Sequence, residues 1–391
     1  MSQPEERVQD RRATSDTVVA PVRGKGGMKR FIRLPWYIYA DDPVWVPPLL
    51  SDQRTLFDRG KHPFHEHADV EYFLAWRGER PVGRIAAFIN HRHNEFYDDH
   101  TGFFGFFECI DDQGVAHALL DAAENWVRDH GAERIVGPMN FSTNDESHSP
   151  GILLDGFDKP PIVLMGHGRP YYQRLVESAG YEKAEDLLAY WVDSNDTPDR
   201  LVRVVQRIER SIEGLTIRPV DLKKLDAEVE LIQQIYNSAW EKNWGFVPLT
   251  EKEIEHLAKE LKPIVEPRYA LLAFINGDPA GFTLTLPDFN QALKHVNGRL
   301  FPFGIPKLLW YARKIDRARV FALGLKPEYR GLGLDVIFYT RAFMVARELG
   351  HTGGECSWIL ESNLKMRRGL EKIGAYVYKT YRVYQKGTGG A

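Results

Sequence analysis

An internal repeat limits the folds open to this 391-residue chain more than its composition does. Two strand–turn–strand patterns share a Pro-x-Gly sequence, with Pro81 and Gly83 in the first and Pro279 and Gly281 in the second. Further along, a Glu-x-x-Gly sequence recurs, ending at Gly180 and at Gly374. The first pair of motifs is 198 residues apart and the second pair is 194 residues apart. Because the two separations nearly agree, the sequence predicts two successive copies of one fold.

Each predicted copy continues after its hairpin as strand, helix, strand, helix and strand. In the first copy these elements are predicted at residues 102–110, 115–130, 134–137, 170–179 and 187–192. In the second copy they are predicted at residues 319–325, 335–349, 355–360, 364–373 and 376–384. The long helices carry apolar residues at helical spacing and stop at Gly131 and Gly350. This order predicts an α/β (α+β) fold in which each copy is a mixed sheet flanked by helices.

Changes in composition along the chain set the predicted domain boundaries. Residues 1–27 are polar and end in a glycine-rich stretch, so they are predicted to be a disordered tail. Residues 28–195 are assigned to the first copy and residues 215–387 to the second copy. Between them, residues 196–214 carry apolar side chains at helical spacing and are predicted to form a connecting helix.

Composition and charge argue against several classes of protein. Hydrophobic residues make up 43% of the chain and charged residues 27%, which is typical of a globular protein. The formal net charge of −3 argues against a nucleic-acid partner, because such proteins usually carry a basic excess. No apolar run is long enough to predict a transmembrane helix.

The cysteines and histidines predict neither a disulfide framework nor a metal site. The two cysteines, Cys109 and Cys356, fall in predicted strands and are expected to be buried packing residues. Few cysteines and no secretory signal indicate a cytoplasmic protein, with peripheral contact at the inner membrane face left open. His62, His65 and His67 lie close together, but no cysteine is near them, and no metal is predicted.

Residues 320–335 carry the strongest local indication of chemistry. They are predicted to form a strand, a turn that contains Gly331 and Gly333, and the start of an amphipathic helix. The first N–H groups of a helix and the helix dipole form an anion site, to which Arg330 would add charge-assisted hydrogen bonds. A plain strand–helix turn would contain the same glycines, so the spacing alone leaves both interpretations open.

The second copy resembles the GNAT superfamily of N-acetyltransferases over residues 215–386. The resemblance rests on the order of its elements and on a strand followed by a basic residue and glycines that open a helix, with Arg330 as the basic residue and Gly333 as the first motif glycine. Residues 28–192 resemble the same superfamily more weakly. The chain as a whole therefore resembles a tandem GNAT-like N-acyltransferase.

The resemblance implies a site for an acyl-coenzyme A thioester and no metal. The glycine turn would bind the pyrophosphate, the pantetheine arm would lie between two splayed strands, and an amine would attack the thioester. Backbone N–H groups near Leu323 to Leu325 would stabilise the oxyanion. The residues assigned to the donor on this basis are Leu323, Gly324, Leu325, Arg330, Gly331, Leu332, Gly333, Leu334 and Asn363.

Two positions of the second copy depart from the pattern of the superfamily. Asp335 stands where Gly or Ala is usual, and a carboxylate near a diphosphate is unfavourable unless it points away or meets a cation. An acyl carrier protein is therefore the alternative donor to coenzyme A. Leu370 stands where a general-acid tyrosine is often found, so a proton for the leaving thiolate would come from elsewhere or not be needed.

The first copy lacks the phosphate-binding turn. Its equivalent segment contains Asp111 and Asp112 before a predicted helix. Two aspartates at a helix N-terminus stabilise the helix but repel phosphate. The first copy is therefore predicted to be degenerate and to shape the site of the acceptor.

Candidate catalytic and acceptor-binding residues come from two segments. A polar loop after a strand supplies Glu146 as a candidate base and Asn144 and His148 as candidate substrate-binding residues. Glu361 follows the predicted strand 355–360 and is the second candidate base. Each segment also has a plain structural interpretation, as a capped loop and as the neighbour of a helix N-cap.

An insertion at about residues 287–318 combines apolar and basic side chains, including Trp310 as a candidate substrate contact. The pattern indicates either an interfacial segment near a long acyl chain and a lipid amine, or a helix packed on its own domain. The whole chain also resembles bacterial GNAT-like proteins, some implicated as ceramide synthases that acylate a sphingoid amine. The expected function is N-acyl transfer from acyl-coenzyme A to a small-molecule or lipid amine. The alternatives are a non-catalytic acyl-coenzyme A or carrier-protein binder and a tRNA-dependent aminoacyltransferase.

Overall fold

The computed structural model describes residues 17–142, 150–193 and 199–389. Its strands are β1 (Val18–Pro21), β2 (Ala68–Arg77), β3 (Arg80–Asn90), β4 (Thr101–Cys109), β5 (Arg134–Gly137), β6 (Ile152–Asp155), β7 (Glu182–Asp193), β8 (Leu215–Pro219), β9 (Ala270–Ile275), β10 (Asp278–Pro287), β11 (Arg317–Leu325), β12 (Gly353–Leu360) and β13 (Tyr376–Gly387). Its α-helices are α1 (Gly24–Ile38), α2 (Leu50–Leu56), α3 (His91–Tyr97), α4 (Gln113–Asp129), α5 (Tyr172–Glu177), α6 (Asp199–Ser211), α7 (Leu225–Trp240), α8 (Glu251–Leu261), α9 (Asn290–Leu293), α10 (Gly304–Ala312), α11 (Leu334–Leu349) and α12 (Leu364–Lys372).

The thirteen described strands form one mixed sheet with helices packed against it. Twelve of them lie in the order β1-β2-β3-β4-β5-β13-β7-β12-β11-β10-β9-β8, and β6 pairs with β13 beside this path. Two pairs are parallel, β4 with β5 and β11 with β12. Helix α4 packs on β2, β3 and β4, whereas α7 and α11 pack on β10 and β11. The predicted α/β fold with two similar halves is confirmed.

The repeated Pro-x-Gly sequence has a packing reason in both hairpins. A Cβ atom built on Gly83 of β3 would lie 2.6 Å from Leu119 Cδ1 of α4. A Cβ atom built on Gly281 of β10 would lie 2.5 Å from Leu325 Cδ2. Such distances are far below van der Waals contact, so each hairpin needs a residue without a side chain where another element crosses it closely.

The two halves of the molecule exchange their last strands. β7 ends the first half but pairs with β12 of the second half. β13 ends the second half but pairs with β5 of the first half. β7 and β13 also pair with each other along most of their length, from Glu182 opposite Gln385 to Trp191 opposite Tyr376. Each half therefore completes its sheet with a strand from the other half. Helix α6 occupies the predicted connecting segment 196–214.

The predicted tail of residues 1–27 is too long. β1 pairs with β2, with Val18 opposite Trp76, and α1 begins at Gly24. Helix α1 buries Phe31, Ile32 and Leu34 against the first half of the sheet. Because residues 1–27 are polar on average, their composition did not reveal this short edge strand or the amphipathic helix that follows it. The prediction also did not include β6, which is only four residues long.

Candidate active site

Strands β11 and β12 separate in the second half and leave a gap between them. Their parallel pairing ends with Val320 opposite Cys356. Directly afterwards β11 carries a bulge at Phe321, opposite the step from Leu284 to Thr285 of β10. A bulge bends its strand, so β11 turns away from β12 beyond this point. Alternate backbone N–H groups of β11 then face the gap rather than a neighbouring strand.

The gap opens into a cavity of about 230 Å³, which we call the splay cavity. Its walls come from β11, β12 and the two helices α7 and α8. Most of the lining side chains are apolar or aromatic, among them Ile232, Trp240, Leu257, Leu261, Phe321, Leu323, Ile359 and Leu360. A cavity with such walls accommodates a flexible, largely hydrocarbon ligand.

Helix α11 begins at the mouth of this gap with an uncapped N-terminus. Its N-cap residue is Gly333, with φ of 86°, and no side chain caps the helix. Gly331 also has a positive φ, of 82°, and a Cβ atom there would meet no atom within 4 Å. The backbone is therefore open at Gly331, whereas Ile208 of α6 packs against Gly333, where a Cβ atom would lie 3.0 Å from its Cδ1. The N–H groups of the first helical turn have no intrahelical partner. The side chain of Leu334 is buried in the core, whereas Leu332 is exposed.

Arg330 lies beside this turn and bridges two elements. Its guanidinium donates to the backbone oxygen of Leu325 at 3.3 Å and to that of Ala239 at 2.6 Å. The side chain also lines a larger cavity at the junction of the two halves. Arg330 thus presents a cation close to the uncapped helix N-terminus, as an anion site requires.

The two departures from the superfamily pattern occupy different environments. Asp335 lies in the first turn of α11 and is exposed to solvent. Its carboxylate interacts favourably with the positive end of the helix dipole, but it also opposes a second anion there. Leu370 is buried in a core cluster with Tyr190 and Cys356. Tyr339, which the sequence analysis did not predict as a site residue, lines the splay cavity.

In the first half, a side chain caps the N-terminus of the corresponding helix, α4. Asp112 is the N-cap residue of α4, and its carboxylate accepts a hydrogen bond from Val115 N at 3.1 Å. Arg77 donates to the same carboxylate at 2.6 Å. The prediction that aspartates occupy this helix start is confirmed. An anion would have to displace a carboxylate that is already bound there.

The gap between β4 and β5 in the first half is also closed. Met139 N donates to Phe104 O at 2.7 Å, and Phe106 N donates to Asn140 Oδ1 at 2.7 Å. A Cβ atom on Gly105 would lie only 1.7 Å from Met139 O, so the chain after β5 crosses directly over β4. The residues that follow β5 thus fill the gap in the first half, whereas the second half keeps it open.

A second cavity, of about 780 Å³, lies at the junction of the two halves, and we call it the junction cavity. It is lined by Arg330 and Asn363 from the second half and by Thr101 and Arg134 from the first half. Asn363 and Trp244 line both the junction cavity and the splay cavity. The uncapped turn of α11, the junction cavity and the apolar gap are therefore neighbours.

Most of the predicted site residues lie in the described part of the chain. Asn363 is the N-cap of α12, and its side chain accepts from Met366 N at 3.2 Å. Leu323 lines the splay cavity, and Gly324 lets Trp240 approach β11, since a Cβ atom there would lie 2.3 Å from that ring. The predicted residues Asn144, Glu146 and His148 lie outside the described residues.

Two predicted residues lie away from the splay and junction cavities. Glu361 forms an ion pair with Lys183, with Oε1 and Nζ 2.5 Å apart, and it does not line either cavity. Trp310 is exposed on α10, beneath the ammonium of Lys314, which lies 5.2 Å from its ring centre. Neither side chain is therefore in contact with the gap in this conformation.

Sequence reasoning missed a buried polar cluster at the closed end of the gap. Glu355 of β12 is fully buried and accepts hydrogen bonds from Ser357 Oγ at 2.5 Å and from the Tyr378 hydroxyl. Arg319 of β11 is also fully buried, and its Nε donates to Ser357 Oγ at 3.0 Å. Ser357 lines the splay cavity. The cluster therefore connects a buried carboxylate to the cavity through one hydroxyl.

A signal for this cluster was present in the sequence. Arg319 and Glu355 are charged residues inside strands that are otherwise mostly apolar, and they stand directly opposite each other in the parallel register. Charged residues are rarely buried completely unless they are paired. Recognising the pair required the register between two strands, which one sequence does not supply.

Burial changes the protonation of two further groups near the gap. Burial raises the pKa of the Asp288 carboxyl to about 7, and the nearby Glu355 carboxylate adds to this effect. Burial raises the pKa of the Cys356 thiol to about 12, so this residue of the cavity wall is a neutral thiol rather than a nucleophilic thiolate. The prediction that both cysteines are buried is confirmed.

The described part of the chain contains neither a metal-binding cluster nor a membrane-spanning helix. Among residues 17–142, 150–193 and 199–389, no group of three or more His, Cys, Asp or Glu side chains is arranged to hold a metal ion. Within the same ranges, no helix has both the length and the apolar composition needed to cross a membrane.

Comparison with known proteins identifies two curated relatives of almost the same length. The chain is 40% identical over 380 residues to a protein of Caulobacter vibrioides named "Bacterial ceramide synthase", covering 95% of this chain and 98% of that protein. It is 37% identical over 372 residues to "Protein YghO" of Escherichia coli, covering 93% of each chain. No protein-family model matches the chain.

Solved structures of GNAT proteins share the fold at low identity. One is a tandem GNAT protein from the clavulanic acid biosynthesis pathway, with a TM-score of 0.55, 12% identity, and coverage of 96% of this chain and 100% of that chain. Another is a GCN5-related N-acetyltransferase from Sphaerobacter thermophilus, with a TM-score of 0.51, 14% identity, and coverage of 95% and 96%. These similarities bear out the tandem GNAT-like architecture.

Proposed function

We propose that this chain, which belongs to the family of the Caulobacter bacterial ceramide synthase and Escherichia coli Protein YghO, is an N-acyltransferase. It would move an acyl group from a coenzyme A thioester to an amine. The observation that carries the proposal is the asymmetry between the halves. Only the second half, within the described residues, combines an open gap between its parallel strands with an uncapped glycine N-terminus.

The donor would bind along the gap of the second half. Its pyrophosphate would lie at the first turn of α11, where backbone N–H groups and Arg330 supply hydrogen bonds and positive charge. Its pantetheine arm would pass between β11 and β12. The free N–H groups of β11 beyond Val320 would hold the thioester oxygen. The exposed position of Asp335 supports this placement, since its carboxylate can point to solvent.

The acyl group would be long. The splay cavity is walled by aromatic and aliphatic side chains from α7 and α8, and such walls favour a hydrocarbon chain over a polar group. A lipid amine of the sphingoid type is the acceptor class that fits both this apolar environment and the name of the Caulobacter relative. The junction cavity, built from both halves, would admit the acceptor to the donor.

The reaction would be a direct transfer between thioester and amine. The neutral amine nitrogen attacks the thioester carbon, a tetrahedral oxyanion forms, and the carbon–sulfur bond breaks to give an amide and a thiolate. The thiolate becomes the free thiol by taking up one proton, equivalent to the one that the amine releases. The neutral thiol of Cys356 argues against an acyl-enzyme at that residue. The Tyr339 hydroxyl, whose pKa burial raises, donates to Met366 Sδ at 3.3 Å, and it would hydrogen-bond to the leaving thiolate in place of that sulfur.

The proton released by the amine would leave through Ser357 to Glu355. Ser357 lines the cavity, and its Oγ donates to the Glu355 carboxylate at 2.5 Å and accepts from Arg319 Nε at 3.0 Å, so one residue separates the base from the gap. Relay through one hydroxyl or one water is within the usual reach of a general base. Glu361, predicted from the sequence as a base, would have to leave Lys183 to act, and Glu146 remains a prediction.

The test is an assay of amine-dependent thiol release, with the amide product identified by mass spectrometry. Palmitoyl-coenzyme A with a sphingoid amine should give equal amounts of thiol and amide. Replacement of Glu355 (Glu355→Gln) should lower kcat by about 100-fold or more, as loss of a general base does. The matched variant Glu361→Gln should keep most of the activity.

Three outcomes would contradict this function. Tight binding of the acyl-coenzyme A without amine-dependent thiol release would indicate a non-catalytic binder. Activity with an acylated carrier protein but with no coenzyme A thioester would place the donor chemistry elsewhere. A requirement for charged tRNA would indicate aminoacyl transfer. A retained thermal shift with palmitoyl-coenzyme A would show that Glu355→Gln is folded, so its loss of activity could be assigned to chemistry.

A further inference from the structure

An exposed aromatic surface covers one side of the second half. We define the aromatic cap as residues 299–314, which comprise the loop after α9 and helix α10. Phe301 and Phe303 are each 78% exposed, the highest values among the exposed large hydrophobic residues of the described chain. Ile305, Leu309 and Trp310 are also exposed. Five of fourteen such residues therefore lie within ten positions, which is unusual for a surface that faces only water.

The charged residues within the segment that carries the aromatic cap have one sign. Residues 289–315 contain five Lys or Arg and no Asp or Glu, although the whole chain has a net charge of −3. Lys314 Nζ lies 5.2 Å from the ring centre of Trp310 and 5.6 Å from that of Tyr311. The basic side chains thus run alongside the aromatic ones. Apolar residues with basic neighbours are the composition of segments that lie in the interface of an anionic membrane.

A cavity lies directly beneath the aromatic cap. It has a volume of about 620 Å³ and is lined by Leu300, Leu308, Leu309 and Ala312 from the cap side. Leu257 and Leu261 of α8 line both this cavity and the splay cavity. The cap therefore stands over an apolar space that is separated from the gap between β11 and β12 by one helix.

We propose that the aromatic cap docks on an anionic lipid surface, so that the cavity beneath it receives the lipid amine from the membrane. Phe301 and Phe303 project singly from a loop, as residues that insert between lipid headgroups do, whereas a protein interface is usually a broader and flatter patch. The positive charge of residues 289–315 fits anionic lipid and opposes pairing of the cap with a second copy of itself. The docking of the protein does not depend on the proposed function, but the delivery of an acceptor rests on it.

The docking is tested by sedimentation of the full chain with vesicles. One set contains phosphatidylcholine only, and the other contains phosphatidylcholine mixed with phosphatidylglycerol. We expect binding to the anionic vesicles and a decline with added salt. The double variant Phe301→Ser/Phe303→Ser and the charge variant Lys307→Glu/Lys314→Glu should each reduce binding by about tenfold or more, since one basic residue near such a surface contributes about fivefold. The control Val18→Ser/Tyr376→Ser removes exposed apolar residues elsewhere and should bind as the unmodified chain does.

Other occupants of the cap would give different results. No binding to anionic vesicles, or full binding by both cap variants, would overturn the proposal. A dimer in sedimentation velocity that Phe301→Ser/Phe303→Ser separates, with no vesicle binding, would assign the cap to a second copy. Capture of an acidic carrier protein without vesicle binding would assign it to that partner.

A second measurement separates docking from chemistry. With a water-soluble amine and a short-chain coenzyme A thioester, the Phe301→Ser/Phe303→Ser variant should release thiol at the rate of the unmodified chain. With a sphingoid amine embedded in anionic vesicles, its rate should fall by about the factor seen in vesicle binding. Vesicle binding with no thiol release from any variant would refute the proposed function while leaving the docking intact. Equal rates on the vesicle-borne amine would contradict the delivery role of the cap.

Discussion

The first residues of helices α4 and α11 differ in a way that affects the electrostatics of each half. Asp112 fills the N-terminus of α4 with its own carboxylate, which accepts from Val115 N and from Arg77. Gly333 leaves the N-terminus of α11 without a side chain, and Arg330 lies beside it. A carboxylate already at a helix start excludes a phosphate by charge and by occupancy. The two halves therefore share a fold but differ in whether a carboxylate already occupies the start of this helix.

Arg330→Ala should weaken the binding of coenzyme A. A charge-assisted hydrogen bond contributes about 1.5–3 kcal/mol, which corresponds to roughly a tenfold to hundredfold rise in Kd. Isothermal titration calorimetry with free coenzyme A measures this change. The control Arg347→Ala removes a cation from the last turn of the same helix and should leave Kd unchanged. An unchanged Kd for Arg330→Ala would show that the pyrophosphate binds elsewhere.

Asp288→Asn should remove a pH dependence of stability. The folded-state pKa of Asp288 is about 7 against an ordinary value of 3.8, so the folded protein binds more protons than the unfolded chain between these values. The free energy of unfolding should therefore fall as the pH rises through this window, and the fall should be smaller in Asp288→Asn. Glu355 opposes ionisation of this group and Arg317 favours it.

Urea denaturation across this pH window measures the effect. The variant should be more stable than the unmodified chain at the upper end of the window and similar to it at the lower end. Asp278→Asn, at an exposed hairpin position, should follow the unmodified chain throughout. Parallel curves for the unmodified chain and Asp288→Asn would contradict the raised pKa.

The parallel strand pairs distinguish the two halves at the level of secondary structure. In the second half, β11 bends at its bulge and the gap stays open. In the first half, the chain after β5 crosses β4 at Gly105 and hydrogen-bonds to it on both sides. The same pair of elements therefore forms a cavity in one half and a closed core in the other.

Gly105→Ala should destabilise the protein strongly. Its Cβ atom would lie 1.7 Å from the backbone oxygen of Met139, and a backbone atom cannot move away as a side chain can. We expect a loss of at least about 1–3 kcal/mol, as for overpacked cores. Chemical denaturation measures it. The control Gly369→Ala lies in helix α12 with no atom within 4 Å, and it should be neutral or stabilising by up to about 1 kcal/mol. Equal stabilities would contradict the close crossing.

The sequence predicted local elements better than it predicted their partners. The hairpins, the glycine turn before α11 and the aspartate cap of α4 follow from turn chemistry within a few residues, so single-sequence patterns reveal them. The buried pair of Arg319 and Glu355 depends on which strands are neighbours, and the edge strand β1 depends on the presence of β2. Such contacts between distant segments leave no periodic signal in one sequence. For the same reason, Glu361 could be predicted as a base although its side chain pairs with Lys183.

The exchange of β7 and β13 joins the halves into one body. Each of these strands belongs to one half by sequence and borders the other half in the sheet. The junction cavity consequently has walls from both halves, and its geometry depends on the whole sheet. In the proposed function, the closed first half would form a wall of the acceptor site while the second half holds the donor.

The most direct test is the pattern of amide hydrogen exchange with and without palmitoyl-coenzyme A. We expect slower exchange on binding in the turn that opens α11, in β11 beyond Val320 and in β12 beyond Cys356, because the ligand would cover the free N–H groups there. The start of α4, capped by Asp112, should not change. Protection at the start of α4 instead, or no protection along the gap between β11 and β12, would contradict the assignment of the donor to the second half.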